Sequence, residues 1–283
     1  MVSLGLAMSA SVAWGCADFL AGLKSRKLAL LTVLAVSQVA GLALILPVAL
    51  ALGEPLPGEH YVLLAVLAGA FNAAALAAFY RGLSIGAMGI VAPIVATDAV
   101  IPVVFGIAGG ERPATIQGIG IVIALVGVVA ASRPESEERS ADAPTARVAR
   151  GVGLALVAAI CFGCFVVALD GAAEASAIWA VVIGRVTTVS LVMIAVLATR
   201  VSLKTSSGDR RQLLAIGGLD VGATTLFAFA TTLGLLSYVG VLGALYPVIT
   251  VLLARVVLRE RLDAVQRMGT FAALGGATMI AVG

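Results

Sequence analysis

Charged side chains are scarce in this sequence, at 12% of its 283 residues, whereas 61% of the residues are hydrophobic. A soluble domain of this length needs many more polar side chains to cover its surface, so the composition excludes an ordinary soluble protein. A mean hydropathy of +1.13 is typical of a chain that is surrounded mostly by lipid. We therefore expect an integral membrane protein.

Residues that commonly carry out chemistry are also few: the chain has one histidine, three cysteines and three lysines. Residues 82–86 spell the G-x-S-x-G motif of serine hydrolases, but no strand precedes them, and His60 is predicted on the other side of the membrane. Cys16, Cys161 and Cys164 fall in apolar runs, which favours packing over zinc or redox chemistry. We predict no catalytic residue, no metal site and no cofactor.

Two further motif classes are missing from the sequence. There is no G-x-x-x-x-G-K-[ST] loop, so any uphill process must be driven by a gradient rather than by nucleotide hydrolysis within this chain. There is also no basic cluster with interleaved aromatic residues, so a nucleic acid is not an expected partner despite the net charge of +3.

What the sequence does contain is a series of long apolar runs. A bilayer core about 30 Å thick is crossed by roughly 20 helical residues. On that measure we predict ten transmembrane spans, near residues 3–22, 28–52, 61–80, 85–108, 114–132, 151–169, 175–199, 212–235, 238–258 and 264–282.

The basic residues lie on one side of these spans. Every Lys and Arg except Arg112 and Arg185 falls in or beside the loops after spans 1, 3, 5, 7 and 9. Cytoplasmic loops of membrane proteins carry an excess of Lys and Arg. The charge distribution therefore predicts that the odd-numbered loops are cytoplasmic, in a multi-pass protein of the plasma membrane.

The two halves of the chain repeat each other. The polar stretch 133–150 predicts a solvated linker between five spans and five spans. The tripeptide at 5–7 recurs at 153–155, and Trp14 recurs as Phe162, both at an offset of 148. A Glu-Arg-x4-Gln-x2-Gly turn also occurs twice, with Glu111, Arg112, Gln117 and Gly120 in one half and Glu260, Arg261, Gln266 and Gly269 in the other.

An odd number of spans per unit places the second unit upside down in the membrane. We therefore predict an all-α fold of ten helices in two inverted five-helix repeats, with units 1–132 and 151–283 joined by the linker. The register is less regular around spans 3, 4, 8 and 9, where it shifts by about a turn. Chance similarity of alanine- and leucine-rich helices is the alternative, which the matched spacing of the turns disfavours.

The whole chain resembles the drug/metabolite transporter superfamily, in particular its EamA-like members. The resemblance rests on Trp14-Gly15 in span 1, on Tyr246-Pro247 in span 9 with Glu260 downstream, and on the paired turns. It departs at the position equivalent to Pro247, where counting back from Glu111 gives Asp98. The resemblance implies a transporter that exports or exchanges amino acids or related solutes. It also implies that both termini are cytoplasmic, the reverse of the charge bias.

Charged residues inside spans are the best candidates for a solute site, because a charge at the bilayer centre costs about 2.5–3.5 kcal/mol on insertion scales. Asp98 and Arg185 are predicted near the midplane, in different halves, and Asp220 lies close to it. Two interpretations stay open for Asp98 and Arg185: a solvated cavity, or a structural ion pair between helices. Asp18, one turn from Trp14, is either a cavity residue or a residue of the membrane edge.

Weaker candidates for the same cavity are polar or aromatic residues at similar depths. They are Trp14, Asn72, Tyr80, Thr97, Thr224 and Tyr246. Gln38 occupies roughly the repeat-equivalent position of Arg185, which favours a polar lining in both halves.

The leading hypothesis is therefore a secondary transporter whose partners are a small-molecule solute, protons as a coupling ion, and membrane lipid. It is expected as a monomer or a homodimer. The alternative is a membrane-embedded enzyme or lipid-handling protein, which would need a catalytic group of residues that this sequence does not display. A purely structural membrane subunit would not need Asp98 or Arg185 at the midplane.

Overall fold

The computed structural model describes residues 1–25, 27–85, 94–131, 145–253, 256–257 and 264–282. Within those residues the protein is helical and has no strand. Its α-helices are α1 (Val2–Ser25), α2 (Leu30–Leu52), α3 (Glu59–Ile85), α4 (Val100–Ala108), α5 (Thr115–Ala131), α6 (Thr145–Ala173), α7 (Ala177–Thr199), α8 (Ser207–Thr232), α9 (Leu236–Gly243), α10 (Tyr246–Leu253) and α11 (Ala264–Val282).

Six of these helices contain a stretch long and apolar enough to cross a membrane, namely α1, α2, α3, α6, α7 and α8. This confirms the predicted all-α membrane architecture, while the count of ten spans stays a prediction. Helix α6 begins at Thr145 and so reaches into the stretch 133–150, which was predicted to be a linker.

Spans 4 and 9 each contain a turn within the described residues, which the span prediction did not anticipate. In the first half, residues 96–99 form a turn before α4, and in the second half residues 244–245 form a turn between α9 and α10. Proline explains both breaks, because it lacks the N–H that a helix interior needs. Pro102 cannot donate to the Asp98 carbonyl, which instead accepts from the Ile101 N–H at 3.2 Å.

The helices of the two halves pack in pairs that a two-fold axis would produce. Helix α1 of the first half lies against α8 of the second half. In the repeat, α6 corresponds to α1 and α3 corresponds to α8, and these two helices also lie against each other. The counterparts α2 and α7 contact each other, as do α5 and α11. Each half therefore completes its core with helices of the other half rather than only with its own.

Two glycines show that the repeat register holds at the helix breaks. A Cβ added at Gly15 would lie 2.8 Å from the Tyr246 carbonyl oxygen, and one at Gly163 would lie 2.7 Å from the Asp98 carbonyl oxygen. Both pairs are related by the offset of 148. Asp98 is therefore the counterpart of Tyr246, not of Pro247, and the predicted shift of register is wrong here.

The repeated turn after α4 has a specific geometry. Gly110 has a φ of 102°, which favours glycine. Its N–H bonds to the Ile107 carbonyl at 3.1 Å, and the Glu111 N–H bonds to the Gly106 carbonyl at 3.0 Å, which is the Schellman pattern. The Glu111 carboxylate then folds over Gly106, where a Cβ would lie 2.4 Å from its Oε2.

From that position Glu111 reaches the other half of the protein. Its Oε1 and Oε2 accept the N–H groups of Leu236 and Ser237, at 2.7 and 2.8 Å. These are the first residues of α9, so the carboxylate satisfies donors that a helix N-terminus leaves unpaired and interacts favourably with the helix dipole.

The remaining turn residues behave differently from one another. Gln117 accepts from the Ala114 N–H at 2.9 Å, which is half of a capping box, whereas Arg112 is exposed. Gln266 is buried in α11, and Pro247 is the second residue of α10, where its missing N–H costs little. Glu260 and Arg261 lie outside the described residues.

Candidate functional site

The helix break of the first half places a carboxylate in the protein interior. Asp98 lies in the turn that precedes α4 and is only 7% exposed. The Tyr246 hydroxyl donates to its Oδ2 across a long 3.5 Å. Its Oδ1 is buried and has no hydrogen-bond partner within the described part of the chain. Because buried carboxylate oxygens normally have donors, this oxygen marks a place where a donor group can bind.

A second polar group surrounds Arg185, which lies in α7 and is 4% exposed. Its Nη1 contacts Asp220 Oδ2 at 2.5 Å and also donates to Gln38 Oε1, while its Nη2 donates to Thr224 Oγ1 at 3.3 Å. Gln38 in turn donates to Asp220 Oδ2 at 3.0 Å. The ion pair of this site is therefore Arg185–Asp220, whereas the sequence had suggested Asp98 as the alternative partner of Arg185.

Both polar contacts join residues that the repeat makes equivalent or nearly so. Gln38 and Arg185 are 147 residues apart, and Asp98 and Tyr246 are 148 apart. Two residues related by a two-fold axis can touch only if both lie close to that axis. The axis that relates the halves therefore passes near both contacts, in the middle of the protein.

These contacts border one cavity, whose empty space, including its part open to solvent, is about 840 Å³. Of this space, about 100 Å³ can hold the centre of a water-sized group, so a small molecule can enter it. The wall is formed by Trp14, Asp18, Gln38, Asn72, Leu76, Phe79, Asp98, Ala99, Pro102, Phe162, Phe165, Val166, Asp220, Thr224, Phe227, Gly240, Gly243, Ala244 and Tyr246.

Most of the residues predicted from sequence are in this wall. They are Trp14, Asp18, Asn72, Asp98, Asp220, Thr224 and Tyr246. Arg185 is not part of this wall; it contacts Asp220 and lines a smaller adjoining pocket. The Thr97 hydroxyl instead donates to the Ile94 carbonyl at 2.6 Å, and the side chain of Tyr80 lies outside the described part of the structure.

Sequence reasoning named Trp14 and Tyr246 but missed the phenylalanines of the wall as site residues. The Trp14 ring lies 5.4 Å from Phe227 and 6.5 Å from Tyr246, and Phe79 lies 6.3 Å from Phe162, all between ring centroids. A phenylalanine within an apolar run does not stand out. Phe162 was the exception, because it is the repeat counterpart of Trp14. Gln38 was noted only as the counterpart of Arg185.

The cavity is more accessible at one end than at the other. Asp18, near the C-terminal end of α1, is exposed, whereas Pro102, Phe227 and Gly240 are buried at the far end. From Asp18, helix α1 continues to its last turn, which carries Lys24 and precedes the first loop. Among the described residues, the cavity therefore opens towards the side of the basic loops.

No group of three or more His, Cys, Asp or Glu side chains is placed as metal ligands would be, in the part of the chain that the structure describes. The three carboxylates of the cavity wall belong to Asp18 in α1, Asp98 in the turn before α4 and Asp220 in α8, and they have different neighbouring side chains. The wall thus combines separate acidic groups with aromatic surface.

Comparisons with known proteins agree with this architecture. The model described as the EamA-like transporter family matches residues 1–133 and again residues 149–282. Among solved structures 29 chains match, and one protein crystal structure superposes with a TM-score of 0.82 over 99% of this chain and 96% of that chain. Its sequence identity is 17%, so the likeness shows the fold alone. None of the curated proteins matches the sequence.

Proposed function

Because the chain belongs to the EamA-like transporter family, we propose that it is a secondary transporter that carries a small amphipathic metabolite through the central cavity. The observation that carries this proposal is a central cavity lined by polar and aromatic side chains from both halves of one chain. In transporters with inverted repeats the solute site lies between the repeats and beside interrupted helices. The broken spans 4 and 9 border the cavity in the same way.

The proposed mechanism is alternating access, in which one half rocks against the other around the cavity. Two features support it. The end near Asp18 is accessible, while the opposite end is buried around Phe227. On that opposite side Glu111 of one half holds the N-terminus of α9 in the other, a contact that rocking would have to release. One chain contains both halves, so a monomer is sufficient for the pathway.

Protons are the coupling ion that the site favours. Asp98 Oδ1 has no hydrogen-bond partner among the described residues, and Asp18 is exposed at the cavity entrance, so we expect both carboxylates to exchange protons with the cavity. Asp220 is held by Arg185. With no nucleotide-binding motif in the sequence, an ion gradient supplies the free energy of uphill transport.

For the direction we propose export, which the family resemblance implies and with which the open end is compatible. The accessible end lies towards the basic loops, and the positive-inside rule assigns those loops to the cytoplasm. A solute then enters from the cytoplasm and leaves on the other side.

Tryptophan fluorescence provides the test. The chain has two tryptophans, and Trp14 is the one in the cavity wall. In a Trp179→Phe protein a metabolite library is screened for changes in Trp14 emission, and each hit is assayed for exchange across proteoliposomes. We expect at least one compound that both alters Trp14 emission and is exchanged. A compound that binds the cavity but never crosses the membrane would refute the transporter mechanism.

A matched pair of variants on α3 controls for bulk in the cavity. Leu76→Trp places an indole in the cavity wall, whereas Leu67→Trp places one on a surface that is 39% exposed. We expect the first to abolish exchange and the second to leave it intact. Equal effects of the two substitutions would mean that the cavity is not the pathway. These variants are assayed by transport, so the added tryptophans do not interfere.

A further inference from the structure

The charge balance of the cavity narrows the class of solute, if the proposed transport function is correct. Its wall contains three carboxylates, those of Asp18, Asp98 and Asp220, and no Lys or Arg from the described residues. Arg185 lies behind the wall and neutralises only Asp220. Among the described residues, Asp18 and Asp98 are left without a cation, and Asp98 is only 7% exposed, so water solvates its charge poorly.

Arg185 is not available to bind the carboxylate of a solute. Its guanidinium donates to Asp220, Gln38 and Thr224, and the residue is 4% exposed. A solute carboxylate would have to displace Asp220 while facing the negative charge of the wall. The geometry therefore disfavours anions and also zwitterionic amino acids, the class that the family resemblance had implied.

Asp98 supplies the second and independent observation. Its Oδ1 is buried without a partner, in a residue that is 7% exposed, and the same residue lines the cavity. Within the described residues this oxygen has no hydrogen-bond partner, and the cavity wall holds no Lys or Arg. An ammonium group of the solute provides both a donor and a positive charge, since it is a cation with N–H donors.

The rest of the wall indicates what carries the ammonium group. Trp14, Phe162 and Tyr246 line the same cavity, and aromatic faces attract cations and also bury apolar surface. A bare metal ion suits this wall less well, because it needs several oxygen ligands at one point and the wall carboxylates are not grouped in that way among the described residues.

We propose that the solute is an organic monocation, an ammonium group on an apolar or aromatic body, and that Asp98 receives the ammonium group in the cavity between the two halves. Asp220 is kept in place by Arg185 and adds to the negative potential. Asp18 contributes the same sign of charge at the entrance and attracts the cation towards the site.

The test compares four probes with the same aromatic body but different charge. They are 2-phenylethylamine, 2-phenylethanol, 3-phenylpropionate and phenylalanine. In the Trp179→Phe protein at neutral pH, Trp14 emission reports binding. We expect the amine to bind at least about tenfold more tightly than the alcohol, and the two carboxylate compounds to bind more weakly still.

A variant pair then assigns the charge to Asp98. Asp98→Asn should weaken amine binding by about tenfold or more, while affinity for the alcohol changes little. The matched control is Glu174→Gln, which makes the same carboxyl-to-amide change at an exposed site outside the cavity, and it should leave amine binding unchanged. If Asp98→Asn does not fold, the order of the four probes on the unaltered cavity still decides the charge class.

Three outcomes would overturn the inference. Tighter binding of 3-phenylpropionate or phenylalanine than of the amine would reject a cationic solute, yet a bound and exchanged anion would leave the transporter proposal standing. Unchanged amine binding in Asp98→Asn would reject Asp98 as the receiving group. Failure of all four probes would reject an arylalkyl monocation. Transport is tested separately, through exchange of any compound from the metabolite library.

Discussion

The Arg185–Asp220 pair allows the sharpest test of the site geometry. Arg185→Met removes the guanidinium but keeps an apolar side chain of similar length. It leaves Asp220 with only the Gln38 amide as a partner among the contacts described above. Removing one member of a buried, hydrogen-bonded ion pair typically costs about 3–5 kcal/mol of unfolding free energy.

The expected loss of unfolding free energy depends on how well water solvates the charge that each substitution leaves unpaired. The Asp220 side chain is 24% exposed, so water in the cavity partly solvates the carboxylate that Arg185→Met leaves behind, and we expect a loss of about 3 kcal/mol. Asp220→Asn instead leaves a guanidinium that is 4% exposed without a counter-ion, and we expect a loss of about 4 kcal/mol. The double variant should cost about 2 kcal/mol less than the sum of the two.

The assay is equilibrium unfolding of the purified protein in mixed micelles, scored by loss of helical circular dichroism. A second cycle serves as the comparison, with Arg185→Met and Asp98→Asn. Because Arg185 bonds to Asp220 and not to Asp98, these two changes should be additive within about 0.5 kcal/mol. A larger coupling of Arg185 to Asp98 than to Asp220 would refute the pairing and, with it, the conclusion that Arg185 is unavailable to the solute.

Four other outcomes are expected. Glu111→Gln should lower the unfolding free energy by about 1–2 kcal/mol, because the charged acceptor of two α9 N–H groups is lost, and unchanged stability would contradict the cap. Gly127→Ala should destabilise by about 1–3 kcal/mol, because its Cβ would lie 2.3 Å from a backbone nitrogen of α11, whereas Gly275→Ala meets nothing within 4 Å and should not. In a Cys-free protein, a cysteine at Ser206 should resist an impermeant thiol reagent on intact cells, and labelling would reverse the predicted orientation. Halves expressed as separate chains split near Ala141 should assemble, and failure to do so would count against two units joined by a linker.

Much of the architecture was readable from the sequence because it depends on local composition. Apolar runs of membrane length predict helices, and the paired turns at Glu111 and Glu260 indicate two related units. The depth of Asp98 along its span, and its cost in lipid, marked it as a candidate before any contact was known. The breaks in spans 4 and 9 were missed, although Pro102 and Pro247 are visible in the sequence, because prolines in membrane helices are often tolerated without a break.

The composition of this chain by itself determined that it is a helical membrane protein, and its internal repeat determined the two inverted halves. Only the tertiary structure decided which charges meet. Arg185 pairs with Asp220, 35 residues away, and Asp98 meets Tyr246, 148 residues away. Depth along a helix can be counted from sequence, but the direction in which a side chain points depends on how the two halves pack. That packing left Asp98 with an oxygen that has no partner among the described residues, and the proposed charge of the solute rests on this contact pattern rather than on the sequence.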